Sequence, residues 1–426
     1  MNILIKDADR LLFENGAFTV SRGDICISNG KITSLDSESD NFKADKILSG
    51  DDRLVIPGLI NAHTHSYMDL FRNCADDLTF SDWLFGRVMP LEDKLTFDDC
   101  YTGALLACAE MIKSGTTCFL DMHPFKNQTA KAARDTGLRA VISRGLTDSL
   151  GEQAGLDRLA QAKEEMENFK DEELITFMAA PHAVYTCSKE YLIKIRDFAL
   201  YENLPINMHL SETVDEVKGI MEQYGCSPVE YVDSLGLFDI HTVAAHCVQL
   251  NDRDISILAE KGVYVATNPK SNLKLANGIA PVDALLKKGV KVCIGTDSAA
   301  SNNTLDMFEE MRFAALLQKG VTHDPTSADA QSILKAATIT GAEALRVNSG
   351  EIAVGKNADL VMLDTSAIPF CPKSNPVSAL VYSVSKSEVK TVIVNGNILM
   401  LDGVLTTIDE AAVKEKCNRI YERING

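Results

Sequence analysis

The residues best suited to chemistry stand in four short clusters: His63-Thr64-His65, His209 with Glu212, His246, and Asp297. Each follows an apolar run. LVIPGLI (54–60) precedes the first, PINM the second, TVAA the third and VCIGT the fourth. Side chains alternate along a strand, so His63 and His65 point the same way and can reach one ion together. Imidazoles joined by a carboxylate suit a borderline-soft divalent ion, with zinc the default and iron(II) or manganese the alternatives. Calcium or magnesium would call for more oxygen ligands.

Taken singly, each cluster has an ordinary reading. A His-x-His pair is often structural, Asp297 after Gly295-Thr296 fits a helix N-cap, and His246 fits a satisfied core histidine. Jointly they are far more specific, because the C-terminal ends of barrel strands are where such enzymes assemble their sites. The remaining histidines carry less. His241 and His323 fall in polar loops and are expected to be solvated, and His123, closing FLDMHPF, is a candidate border of the pocket.

The elements that must position these residues are legible as periodic apolar segments. Strands are predicted near 54–60, 116–122, 138–146, 174–180, 205–210, 242–247, 263–267 and 291–296. Between most of them lie helical patterns such as YTGALLACAEMIKSG and DISILAEKG, in which apolar residues recur three and four apart and a glycine ends the helix. Eight strands alternating with helices predict a (β/α)8 TIM-type barrel over 57–348. The flanks differ, with short alternating segments and turn signals such as Asn29-Gly30. Residues 1–56 are predicted to form the first part of a small β-sandwich domain, and 349–426 its second part plus a last amphipathic helix, TIDEAAVKEKCNRIYERI.

Bulk properties limit the partners. The chain has 426 residues, 46% of them hydrophobic, and a net charge of -18; its mean hydropathy is -0.02 and its pI near 4.9. That charge disfavours nucleic acid and an anionic membrane, since both need a positive field. No apolar run approaches the ~20 residues of a membrane helix, and the first residues, MNILIKDADRLLFENG, do not read as a signal peptide. The 11 cysteines are odd in number and lack C-x-x-C spacing. Cys108, Cys118, Cys247 and Cys293 read as small core residues, so a reducing compartment and a cytoplasmic location are expected. Barrels of this size commonly self-associate, and a homo-oligomer is a further expectation.

GLINAHTH, HLSE, AHC and GTDS, in this order, resemble the amidohydrolase superfamily in its deaminase and chlorohydrolase branch. The resemblance runs over nearly the whole chain. It implies metal held by His63, His65, His209 and Asp297. In binuclear relatives a carbamoylated lysine at the end of the fourth strand bridges two ions, whereas here that strand runs out as AAPHAVYT, so a single ion is implied.

The resemblance further implies hydrolytic deamination of a small-molecule nucleoside: the adenine ring of a 5'-substituted adenosine such as S-adenosylhomocysteine, 5'-methylthioadenosine or 5'-deoxyadenosine, or of adenosine itself. Trp83, Glu92, Arg144, Arg158 and His182 are the implied substrate contacts. The glutamate would hold the ribose diol, and the arginines and His182 would face the 5' substituent, where an arginine fork suits a carboxylate. Glu212 is the candidate to contact the ring, protonate N1 and later help the departing amine, with His246 and Asp297 sharing the proton of the attacking water. The same metal set also serves guanine, cytosine and triazine substrates. A catalytically silent barrel is disfavoured, since every ligand position and Glu212 are filled.

Overall fold

The apolar run 54–60 divides at Pro57-Gly58 into two strands of different sheets. Gly58 is the hinge: a Cβ there would lie 2.0 Å from the Thr117 Oγ1, so no side chain fits. A run buried on every side carries no boundary signal, which is why it reads as one strand in sequence.

The computed structural model describes residues 1–36 and 42–426. Before the hinge come β1 (Ile3–Glu14), β2 (Ala17–Ser28), β3 (Lys31–Leu35), β4 (Lys46–Ser49) and β5 (Arg53–Pro57). After it come the barrel strands β6 (Leu59–Thr64), β7 (Thr116–His123), β8 (Arg139–Leu146), β9 (Ile175–Pro181), β10 (Ile206–Leu210), β11 (Thr242–His246), β12 (Tyr264–Thr267) and β13 (Lys291–Ile294). The chain then returns to the first sheet with β14 (Leu360–Asp364), β15 (Val389–Val394), β16 (Asn397–Leu401) and β17 (Val404–Leu405).

The two chain ends thus meet in one mixed sheet of nine strands among the described residues, ordered β17-β16-β15-β14-β5-β1-β2-β3, with β4 also on β1. Asn29-Gly30, at φ 50° and 73°, makes the two-residue turn between β2 and β3, as primed hairpin turns require. The barrel strands are parallel and pair in sequence order from β6 to β13. Helices with strong caps separate them. Phe97–Lys113 starts on a Thr96–Asp99 capping box and Asp252–Lys261 on an Asn251–Asp254 box, the latter ending at Gly262 with φ 67°.

Barrel and small sheet are joined by a buried ion pair, in which the Arg139 Nε donates to the Asp359 Oδ2 at 2.9 Å. The last helix, Glu410–Asn425, packs on the barrel. Its Val413, Cys417, Ile420 and Ile424 meet Tyr67, Phe71, Val88 and Leu91 from the loops after β6. Amphipathic spacing shows that a helix has a face to bury and leaves the partner open. None of the described helices is long and apolar enough to cross a membrane. Cys108, Cys118, Cys247 and Cys293 are buried and carry free thiols.

Candidate active site

Three barrel strands and the loop after a fourth bring the clustered residues to one point. β6 delivers His63 and, one step past its end, His65; β10 delivers His209; β11 ends on His246; Asp297 follows β13. The His65 Nε2 lies 3.3 Å from the His209 Nε2 and 3.4 Å from the Asp297 Oδ1, and the His63 Nε2 lies 3.7 Å from that same oxygen. Two overlapping groups, His63/His209/His246 and His63/His65/Asp297, each keep their ligand atoms within 4.8 Å of one another.

These residues fit a divalent metal ion. Both ring nitrogens of His63 are buried without a hydrogen-bond partner, a costly arrangement unless a cation takes a lone pair. The His65 Nδ1 meets the Met122 carbonyl at 2.7 Å and the His209 Nδ1 the His182 carbonyl at 2.9 Å. Carbonyl partners put the proton on Nδ1 and leave each Nε2 lone pair facing the shared space. Burial pushes His63 and His209 well below the ordinary histidine range, keeping them in the neutral form that ligates. The Asp297 Oδ2 is occupied by the Ser271 and Ser301 hydroxyls at 2.6 and 2.8 Å, which turns Oδ1 toward the imidazoles. Burial works to raise the Asp297 carboxyl, but His246, His65 and His63 outweigh it and hold it below the usual carboxylate range.

Glu212 and His246 face each other across this centre, Oε2 to Nε2, at 3.8 Å. The other Glu212 oxygen accepts from the Asn277 amide at 3.0 Å, and burial raises the carboxyl above its ordinary range. The His246 Nδ1 meets the Asn272 Oδ1 at 2.9 Å. Burial alone would lower the His246 imidazole, yet the Glu212 and Asp297 carboxylates raise it. The backbone here is unusual: Ser211, His246, Cys247 and Asp297 have φ of 50°, 72°, 47° and 57°. Non-glycine residues persist in that region only where the surroundings over-determine them, as at functional sites. Neighbouring strand ends are tied accordingly, with Val248 and Gln249 amides on the Ser211 carbonyl and Thr296 and Asp297 amides on the His63 carbonyl.

Ser271, Asn272, Asn277 and Ser301 are participants that motif reading misses. The signal for the first three was present in TNPKSNLKLANG, a polar stretch starting at the end of β12, where barrel loops build sites; Ser301 lies four residues past Asp297 in the segment after β13. Glu216 is another: it accepts the Ser211 and Glu212 amides, and burial pushes its carboxyl up to about 7.

The cavity beside the centre holds about 80 Å³ and is walled by Met68, Phe80, Trp83, Leu84, His182 and Tyr185, with His65, His209, Glu212, His246 and Asp297 at its floor. Trp83 is anchored by its Nε1 on the Ala300 carbonyl at 3.2 Å, and His182 lies over His209 with ring centroids 4.8 Å apart. Burial pushes the His182 imidazole down to about 4.

Glu92, Arg144 and Arg158 are not among the residues lining this cavity. Glu92 is half-buried and accepts the Tyr67 hydroxyl at 2.6 Å. Arg158 donates to the Gly145 carbonyl at 3.4 Å. Arg144 bonds Gln161 while its Nε and Nη1 are buried without partners, and burial pushes its guanidinium down to about 10. His123 does not border the cavity either; it is buried 3.3 Å from a Glu165 carboxylate oxygen. His241 is half-buried rather than solvated, its Nε2 on the Ala344 carbonyl at 2.8 Å and its ring against Tyr264. Asp239 and Thr242 nearby give the segment a polar cast that hides this tertiary contact from sequence. His323 is exposed as expected.

The family profile described as "Amidohydrolase family" matches residues 54–399 of this chain. A 5-methylthioadenosine/S-adenosylhomocysteine deaminase of Acetivibrio thermocellus is 44% identical over 430 residues, covering 100% of both chains. A 5'-deoxyadenosine deaminase of Methanothermobacter thermautotrophicus is 43% identical over 412 residues, 96% of each. Among solved structures, an adenosine deaminase from Xanthomonas campestris with bound zinc superposes with a TM-score of 0.95 at 35% identity, over 99% of this chain and 98% of that one.

Proposed function

The chain belongs to the amidohydrolase family, and on that premise we propose that it is a zinc-dependent aminohydrolase acting on the adenine ring of 5'-substituted adenosines, releasing ammonia and the inosine-type product. The observation that carries the reading is the pairing of an orphaned, buried His63 beside Asp297 and His209 with the Glu212 carboxyl on the cavity floor. The nucleoside class is supported by the kinship to the two deaminases of adenosine derivatives.

In this reading His63, His65, His209 and Asp297 hold one divalent ion, with iron(II) or manganese able to replace zinc. When bound, the ion supplies ionised water near neutral pH. The work of the chain is then positioning and proton transfer. Glu212, whose carboxyl burial raises above its ordinary range, gives a proton to N1 of the ring, which makes C6 electrophilic. His246, presenting Nε2 because Asn272 occupies Nδ1, orients the attacking water and shares its proton with Asp297. The second proton of the water, leaving the oxygen now bonded to C6, passes through Glu212 to the departing amine, and the proton shared by His246 and Asp297 restores Glu212. Phe80, Trp83 and Leu84 supply an apolar wall that keeps bulk water from the ring.

Glu92 is assigned to the ribose diol, and Arg144, Arg158 and His182 to the 5' substituent. The cavity of about 80 Å³ is small beside the ~300 Å³ or more of ordinary ligand pockets. Admitting a nucleoside therefore requires the cavity to enlarge beyond its present walls. The free thiols of Cys108, Cys118, Cys247 and Cys293 support a reducing compartment, and we assign the enzyme to the cytoplasm.

The deciding experiment follows ammonia release from S-adenosylhomocysteine, 5'-methylthioadenosine, 5'-deoxyadenosine, adenosine, guanine and cytosine, and chloride release from a chlorotriazine. Turnover confined to the adenosines supports the proposal. Turnover of guanine, cytosine or the triazine with none of the adenosines overturns it. Glu92→Ala separates nucleoside from base: kcat/KM should fall for adenosine far more than for adenine, and Arg144 or Arg158 replacement should penalise S-adenosylhomocysteine more than the 5'-substituted adenosines that lack its carboxylate.

A further inference from the structure

The turn that carries Glu212 out of β10 is gripped from beyond by a buried carboxylate. The helix Val214–Tyr224 is N-capped by Thr213, whose Oγ1 accepts the Glu216 N–H at 3.0 Å. In a reciprocal capping box the acid at the third helical position reaches back to the cap residue's own N–H. Glu216 instead reaches past the cap. Its Oε1 accepts the Ser211 N–H at 3.0 Å and its Oε2 the Glu212 N–H at 2.8 Å.

Two features separate this from ordinary capping. Thr213 already caps the helix, so the second pair of bonds is not needed to start it. Burying a carboxylate is costly, and Glu216 is only 5% exposed. The grip falls on a turn whose first residue, Ser211, has a φ of 50°, a conformation serine seldom adopts. From the opposite side, the amides of Val248 and Gln249 hold the Ser211 carbonyl at 3.0 and 2.8 Å. The turn is therefore fixed between the loop bearing His246 and the Glu216 carboxylate.

We propose that Glu216 is a positioning residue for Glu212: by holding two consecutive amides of the turn, it sets the direction in which the Glu212 side chain leaves the backbone, beside His246 and Asn277. The inference rests on the reading of Glu212 as the proton-transfer carboxylate given above. Glu216 does not line the cavity and acts only through the turn.

The test compares Glu216→Gln, Glu212→Gln and the double variant in the metal-loaded enzyme, with Thr213→Ala as a control for loss of the ordinary cap. A glutamine keeps the size but replaces one accepting oxygen with an NH2 that cannot accept an amide. Glu216→Gln should lower kcat about 10- to 100-fold, as for a reacting group displaced by ~1 Å, with KM changed far less and metal content unchanged. In the Glu212→Gln background, single-turnover rates should fall no further, because residues acting as a unit are not additive. Thr213→Ala should lower the thermal midpoint but leave kcat within about a factor of two. Amide hydrogen exchange at Ser211 and Glu212 should accelerate in Glu216→Gln.

Unchanged kcat, an equal loss in both backgrounds, or an equal kcat loss in Thr213→Ala would each assign Glu216 a merely structural role and overturn the inference. If the wild-type enzyme turns over none of the panel substrates, the proposed function falls, and the exchange measurement still decides the grip: unaltered protection at those two amides sinks it.

Discussion

Asn61 and Thr296 close the barrel as a pair. The Asn61 Nδ2 donates to the Thr296 Oγ1 at 2.7 Å while the Asn61 Oδ1 accepts the Thr296 N–H at 3.0 Å. Asn61 lies in β6 and Thr296 two residues past β13; these strands are the two ends of the eight-strand ladder and share no regular strand pairing. The seam is completed by the His63 carbonyl, which accepts the amides of Thr296 and Asp297 at 3.1 and 2.9 Å. One side-chain amide thus ties the strand that delivers His63 to the segment that delivers Asp297, whose Oδ1 lies 3.7 Å from the His63 Nε2.

Asn61→Ala is expected to loosen both fold and site. It removes the two short buried hydrogen bonds to Thr296, each with a net worth of about 0.5–1.5 kcal/mol, so urea unfolding should show a loss of at least about 1–3 kcal/mol. Metal affinity, read by competition with a chromogenic chelator, should weaken in the same variant. Full stability with native affinity would mean that the backbone contacts alone close the seam.

Glu212→Gln is expected to keep its metal and lose its chemistry. The amide preserves the size and the acceptor for Asn277 but cannot carry a proton to the ring. The rate should drop by about 10² to 10⁴, the usual range for a general acid or base, with metal content by elemental analysis at the wild-type level. Undiminished deamination would discard the role assigned to Glu212.

Removing the metal is expected to inactivate the protein without unfolding it, because the barrel and sheet cores are built from other residues. Circular dichroism should be retained after chelation, while the thermal midpoint falls. Re-adding zinc should raise it in a concentration-dependent way, by about 4 kcal/mol of stability at a thousandfold excess over Kd. A midpoint indifferent to zinc would speak against any specific ion at His63, His65, His209 and Asp297.

The buried Glu310 should make stability depend on pH. It ties the Asn302 amide at 2.6 Å and the Lys270 N–H at 3.2 Å, so it holds together the loops that carry Asp297 and Ser271. Burial pushes its carboxyl up to about 8 from an ordinary 4.5. With the folded value raised, the native state binds the extra proton between those two values. The stabilising contribution is therefore complete below about pH 4.5 and is lost as pH rises through about 8. Urea midpoints measured from pH 5 to 9 should decline more steeply in wild type than in Glu310→Gln; parallel profiles would remove Glu310 as the source.

The cluster of imidazoles and a carboxylate was legible because its chemistry is rare and its placement regular. His63, His65, His209, His246 and Asp297 each stand at or just past the end of an apolar run, and alternation along a strand tells which of them share a side. The supporting groups were not. Asn272, Asn277, Ser271 and Glu216 belong to residue types that occur in every loop, and nothing local distinguishes an asparagine that orients an imidazole from one that ends a turn. Glu92, Arg144 and Arg158, named from family likeness, stand outside the closed cavity, since reach depends on how loops fold over the barrel mouth.

By itself the sequence determined the alternation of strand and helix, and hence the barrel, because hydrophobic period and capping residues act over a few neighbours along the chain. It also singled out the imidazoles and the carboxylate that the fold brings together. Only the tertiary structure decided that LVIPGLI breaks into two sheets at Gly58, that the last helix covers the barrel's first loops, and that Glu216 grips the turn before Glu212. Those are contacts between surfaces distant in sequence, or choices among equally good local partners, and they are settled by which packing buries the most apolar area with the fewest unpaired polar groups.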